Sequence, residues 1–110
     1  MRADLARLRI ELGVAERLSK RVMWLQSEGL APGHAAAMAK TYVTELLQRT
    51  AHVGTRVMGL YGGLYRRSPY APASGRICYE HVERVHPTVS VGSNEIQPNT
   101  IAVQGLGLPR

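Results

Sequence analysis

Residues 3–28, ADLARLRIELGVAERLSKRVMWLQSE, decide the fold. They hold no proline, and Leu5, Leu8, Leu12, Ala15, Ser19 and Val22 recur at the three- and four-residue steps that line one face of a helix. Ile10, Val14 and Leu18 add a second apolar row on a neighbouring face, so the apolar surface is wider than a single helix–helix contact requires. Gly29 supplies a residue that takes the left-handed conformation ending a helix, and Pro32-Gly33 punctuates the connection. A turn this short predicts that the next helix runs antiparallel to the first.

That second helix is predicted from His34 to Met58, with Ala39, Val43, Leu46, Thr50, Val53 and Val57 on one face and Met38, Tyr42 and Leu47 on its flanks. Each helix would be about 35–40 Å long at the α-helical rise. A compact domain of this size has a radius of gyration of only about 13 Å, so rods this long and this broadly apolar expect protein partners. Gly59-Leu60-Tyr61-Gly62-Gly63 breaks the periodicity, and Leu64 to Ser74 reads as a loop. A third, shorter helix fits Gly75 to Val85, with Ile77, Cys78, Val82 and Val85 on one face and Pro87 closing it. Thr88 to Gly92 reads as irregular or extended. Ser93 is placed to cap a last helix reaching Gln104, in which Pro98 sits awkwardly. The expected fold is all-α: two long antiparallel helices plus two short ones, in one domain spanning residues 1–110.

Composition narrows the function. Lysine and arginine total 14 against 8 acidic residues, a formal charge of +6, which raises the question of a nucleic-acid or phosphate-bearing partner. Arg2, Arg7, Arg9, Arg17 and Arg21 alternate with Asp4, Glu11 and Glu16 along one helix. Such interleaving favours local pairing over a nucleic-acid-binding stripe. No stretch reaches the roughly 20 apolar residues of a membrane span, and Met1-Arg2-Ala3-Asp4 lacks the apolar core of a signal peptide. With the single cysteine, Cys78, these features predict a cytoplasmic protein without disulfides.

Ala37-Met38-Ala39-Lys40, the Gly59 to Gly63 break, Gly92-Ser93-Asn94-Glu95-Ile96-Gln97 and the ending Gly105-Leu106-Gly107-Leu108-Pro109-Arg110 occur in a specific order and spacing. Together they resemble the C-terminal helical domain of acyl-CoA dehydrogenases, over essentially the whole chain. The resemblance implies an incomplete version of that bundle: its first helix, and the family's amino-terminal helical and middle β domains, have no counterpart here. It implies an FAD-dependent oxidoreductase acting on acyl-CoA thioesters, with homo- or hetero-oligomers of dehydrogenase subunits as partners. Electrons would leave to electron-transfer flavoprotein or to oxygen. A non-catalytic oligomerisation subunit derived from the same fold is the alternative.

In that family a carboxylate removes the proton alpha to the thioester while the beta hydride passes to the flavin. The proton is acidic enough only if hydrogen-bond donors stabilise charge developing on the thioester oxygen. The residue aligned with the base of many members is Val91, whose isopropyl group accepts no proton. Its backbone N–H can still serve the oxygen, so the resemblance implies Val91 and Gly92 as substrate-facing. It implies Arg56, Gly59, Leu60, Ser93 and Glu95 as cofactor-facing. Arg56 and Leu60 stand where the family carries a glutamine and the first of two paired glycines, and Pro98 replaces the usual arginine after Ile-Gln. The chain alone is expected to be inactive.

Blander readings attach to other features. Cys78, His81 and His86 lie close in sequence, but no second cysteine completes a usual zinc pattern and a structural role is favoured. Arg66-Arg67 reads as a solvated loop. Trp24, Tyr42 and the methionines read as core.

Overall fold

The computed structural model describes residues 1–109, and among them every regular element is helical. Helix α1 spans Arg2–Ser27 and α2 spans Gly33–Met58. A 3₁₀ turn at Gly59–Gly63 follows. Helix α3 is Arg76–Glu83, α4 is the single turn His86–Val89, and α5, Gln97–Thr100, continues into a π-turn at Ile101–Gly105.

The end of α1 follows from glycine chemistry. Gly29 takes φ 71, its N–H donates to the Gln26 carbonyl at 3.1 Å, and the Leu30 N–H donates to the Leu25 carbonyl at 2.9 Å. These two bonds make a Schellman motif, which satisfies carbonyls the helix leaves open. The chain reverses, and α1 and α2 run antiparallel, with Glu11 opposite Arg49 and Asp4 beside Val53 and Arg56. The α1 seam against α2 is Leu8, Glu11, Ala15, Leu18, Val22 and Leu25, all at least half-buried. Leu5 and Leu12, expected on that face, lie outside it and are exposed. Leu18, assigned to the second row, belongs to the seam instead; the row spacing was right and its phase was off by one side chain.

Helix α2 is the spine, contacting α1, both 3₁₀ and π-turns, and every short helix. Its buried residues are Ala35, Ala37, Ala39, Thr44 and Leu46, and the small ones let chain segments approach from two sides. A Cβ on Gly105 would come within 3.2 Å of the His34 ring. Thr50 and Val57 of the predicted face are exposed. Trp24, read as core, is 46% exposed with the Arg21 guanidinium 4.6 Å from its ring centroid. Tyr42, Met38 and Met58 are half-buried, whereas Met1 and Met23 are exposed.

The carboxyl-terminal third departs from expectation at both prolines. Pro87 opens α4 rather than closing α3, and Thr88 and Val89 are helical rather than extended. Ser93 precedes the last helix by four residues, because that helix starts at Gln97. Pro98 then sits in the first turn, where a missing N–H removes no intrahelical bond. Ahead of α3, Ala73, Ser74 and Gly75 take φ 48, 55 and 76. A Cβ on Gly75 would lie 2.5 Å from the Arg66 N, so this left-handed turn needs a glycine at its tightest point.

The molecule measures 52 × 25 × 24 Å, with a radius of gyration of 17.0 Å against about 13 Å for a compact domain of this length. Its accessible surface is 7911 Å², about 1,900 Å² more than the roughly 6,000 Å² that its mass predicts for a folded monomer. The excess is apolar in part. Leu5, Leu12 and Met23 are exposed on one flank of α1, and Ile10 and Val14 on the other. Two-sided apolar exposure on a helix is the pattern of a bundle member with neighbours beyond α2.

Candidate functional site

The loop from Ser90 to Ile96 leaves α4 and crosses α2. Ser90 is extended (φ −86, ψ 158), and Val91 and Gly92 then take φ 51 and 78. Gly92 suits this region, and a Cβ there would meet the Gln97 side-chain nitrogen at 2.7 Å. Val91 does not: a β-branched residue in the left-handed region is a true outlier, at a cost of about 1–3 kcal/mol. Its side chain is 93% exposed, so packing supplies no compensation.

The compensation comes from α2. The Lys40 ammonium donates to the Gly92 carbonyl at 2.7 Å and to the Asn94 side-chain oxygen at 2.8 Å. The Asn94 amide nitrogen donates to the Thr44 hydroxyl at 3.0 Å, and that hydroxyl donates back along the helix to the Lys40 carbonyl. The Gln97 amide donates to the same Gly92 carbonyl at 3.0 Å. The Asn94 N–H donates to the Thr88 carbonyl at 2.8 Å. A hydrogen bond from a charged donor contributes about 1.5–3 kcal/mol, so the Lys40 pair alone matches the strain in the loop.

This clamp sets the polarity of the loop. Because a trans peptide is planar, the Ser93 N–H points opposite to the Gly92 carbonyl. With that carbonyl drawn toward α2, the Ser93 N–H faces away from it. Among the described residues, the N–H groups of Val91, Gly92 and Ser93 donate to no backbone carbonyl. These are donors without a backbone partner beside an exposed left-handed turn, an arrangement suited to an oxygen acceptor. Glu95 is exposed, and its carboxyl is held below the usual glutamate range by its own backbone N–H, then by the Ser93 hydroxyl, with Lys40 adding a smaller attraction.

The other sequence-derived candidates lie elsewhere. Arg56 is exposed near the end of α2, beside Asp4. Gly59 takes φ 56 in open space, and Leu60 is 98% exposed. From Lys40 to Gly59 the helix rises about 29 Å. The structure therefore brings Val91, Gly92, Ser93 and Glu95 together at one end and Arg56, Gly59 and Leu60 at the other. One small group cannot touch both sets. The sequence reading missed Lys40, Thr44 and Asn94 as a unit, although a lone lysine between Ala39 and Thr41 on a largely buried stretch demands an acceptor.

A groove of about 430 Å³ between α1, α2 and α3 is lined by Arg7, Leu8, Glu11, Arg49, His52 and His81, among others. Arg49 spans it to Glu11 at 3.2 Å, and the His52 and His81 rings lie 5.9 Å apart. None of the predicted site residues lines it. Among the described residues no three His, Cys, Asp or Glu side chains gather as a metal site, and no helix is long and apolar enough to cross a membrane.

Comparison with known proteins gives these features a family. The family model for the acyl-CoA dehydrogenase C-terminal domain matches residues 1–106. The acyl-CoA dehydrogenase FadE26 of Mycobacterium tuberculosis (strain H37Rv) is 35% identical over 82 residues, which are 74% of this chain and 20% of that protein. Among solved structures, the Tcur3481-Tcur3483 steroid ACAD matches with a TM-score of 0.93 and 28% identity, over 99% of this chain and 28% of the other. The ChsE4-ChsE5 complex from Mycobacterium tuberculosis matches with a TM-score of 0.89 and 31% identity, over 99% of this chain and 28% of the other. The chain thus spans between a fifth and three-tenths of the relatives it matches. Its order of helices and the match over residues 1–106 agree, and the chain belongs to the acyl-CoA dehydrogenase family through that family's C-terminal helical domain.

Proposed function

We propose that this chain is the flavin- and subunit-facing helical part of an acyl-CoA dehydrogenase assembly whose substrates are steroid CoA thioesters. The observation that carries the reading is the Val91–Ser93 turn, whose N–H groups meet no backbone carbonyl and whose Gly92 carbonyl is held by Lys40. Val91 and Gly92 meet the thioester, and the Val91 N–H donates to its oxygen as negative charge develops there. Ser93 and Glu95 lie toward the flavin. Arg56, with five donors, suits the diphosphate of a dinucleotide, and Gly59 and exposed Leu60 complete that distant surface. Since the two sets stand about 29 Å apart along α2, they serve opposite ends of an extended FAD or two different FAD molecules of an oligomer. The bound flavin supplies the hydride acceptor.

Neither Val91 nor Glu95 suits the role of base: Val91 accepts no proton, and Glu95 is a weak base because its ionised form is stabilised. The proton therefore goes to a carboxylate elsewhere in the assembly, within a longer chain or on a partner subunit. The hetero-complex named for the ChsE4-ChsE5 relative supports a partner of the same family, and the steroid designation of the Tcur3481-Tcur3483 relative supports the substrate class. Cytoplasmic placement and electron-transfer flavoprotein as acceptor accompany this reading.

The test is co-expression of the chain with an acyl-CoA dehydrogenase subunit, followed by purification and an anaerobic titration with a steroid CoA thioester. A complex that carries FAD and is bleached by the thioester supports the proposal. A chain that associates with no such subunit, or a complex free of flavin, contradicts it.

A further inference from the structure

We propose that Lys40 is a positioning residue for the reaction: it holds the Gly92 carbonyl against α2 and thereby fixes the left-handed Val91-Gly92 turn and the outward Ser93 N–H that meet substrate and flavin. This rests on the reading of that turn as thioester- and flavin-facing. Three observations carry it. Lys40 reaches across more than fifty residues of sequence to the Gly92 carbonyl at 2.7 Å and Asn94 Oδ1 at 2.8 Å. The residue it restrains is adjacent to Val91, whose φ of 51 is a conformation a valine does not hold unaided. The second partner, Asn94, is itself fixed by Thr44 one helical turn after Lys40, so the clamp is anchored at two points on one rigid element.

The consequence is geometric. Were Lys40 unable to donate, the Gly92–Ser93 peptide would lose its tie to α2, Val91 would relax to negative φ, and the turn would reorient. Gln97, at the start of α5, alone would remain on the Gly92 carbonyl. A misplacement of about 1 Å of a group that positions reacting atoms costs on the order of 100-fold in rate. Lys40 touches no substrate in this account; it acts through the peptide it holds.

The test compares Lys40→Met, which keeps the length and helix preference of the side chain, with Lys40→Arg, which keeps donors. The first arm measures hydrogen exchange of the full chain in whatever assembly it purifies. Lys40→Met is expected to raise exchange at least 10-fold at the Asn94 N–H, which donates to the Thr88 carbonyl, while α1 and the second half of α2 stay protected, and Lys40→Arg is expected to restore part of the protection. Unchanged exchange at Asn94 would overturn the proposal. The second arm measures turnover of a steroid CoA thioester by the co-purified complex. Lys40→Met is expected to lower kcat roughly 10- to 100-fold with KM changed less than threefold. Equal loss in KM, or an undiminished kcat, would overturn the positioning role. A wild-type complex without turnover refutes the dehydrogenase reading, and the exchange arm still decides whether Lys40 holds the turn.

Discussion

Replacing Val91 by glycine should make the protein more stable, although Val91 is part of the proposed site. Left-handed backbone costs a residue with a Cβ about 1–2 kcal/mol, and φ 51 puts Val91 in that region. Glycine gives back about 0.5–1 kcal/mol through its greater freedom in the unfolded chain. Because the side chain is 93% exposed, the apolar burial lost is worth no more than about 0.3 kcal/mol. The balance favours Val91→Gly by about 0.2–0.7 kcal/mol, a rise of roughly 1–4 °C in Tm for a domain of this size. The assay is thermal unfolding followed by circular dichroism at one fixed protein concentration, since association makes Tm concentration-dependent. Val91→Ala, which still needs positive φ, should gain less. An equal or lower Tm for the glycine variant would refute the claim that Val91 is strained, and with it the argument that Lys40 offsets a cost.

Other outcomes follow from the same geometry. Gly75→Ala should destabilise by about 2–4 kcal/mol, the left-handed cost plus a forced shift of the Arg66 backbone, whereas Gly29→Ala, with open space around it, should lose only about 1 kcal/mol; urea unfolding of the two variants checks the difference. Glu95 should titrate below the usual glutamate range by carboxyl NMR, and Ser93→Ala should move its midpoint upward. The sign is fixed: the folded-state value is depressed, so any ordering that the ionised Glu95 contributes is complete above the unfolded value and is lost as pH falls through the folded one. A rise in its midpoint on Lys40→Met smaller than that on Ser93→Ala is expected, since Lys40 is the lesser cause.

The two long helices were legible because their signals are local. Proline-free runs, three- and four-residue apolar spacing and Gly29 all act within a few residues, and the observed ends differ from the expected ones by a single residue at most points. The phase of α1 was less legible. With apolar residues on several sides, Leu5 and Leu12 score as well as Leu18, and only the position of α2 breaks the tie. The prolines misled for a related reason. Pro87 and Pro98 mark helix starts as well as ends, and the choice depends on which turn packs on α2. The Gly92–Gln97 motif was visible as a string, yet its function in the fold came from Lys40 and Thr44, some fifty residues earlier. No local rule joins residues so far apart. Leu60 and Val91 show the converse case: both were singled out by their place in a family pattern, and both turned out almost wholly exposed, ready to be covered by something beyond this chain.

Were the roughly 1,900 Å² of excess surface covered by one partner, the interface would bury nearly twice that in total, an area typical of obligate interfaces. Small-angle scattering across a dilution series reads whether the chain associates. The account predicts that the chain associates through the flanks of α1, with itself or with a dehydrogenase subunit supplied in the sample, and that Ile10→Asp with Leu12→Asp abolishes the association while helix content persists. A monodisperse monomer with a radius of gyration near the 17.0 Å of the single chain, melting cooperatively and indifferent to the added subunit, would contradict it.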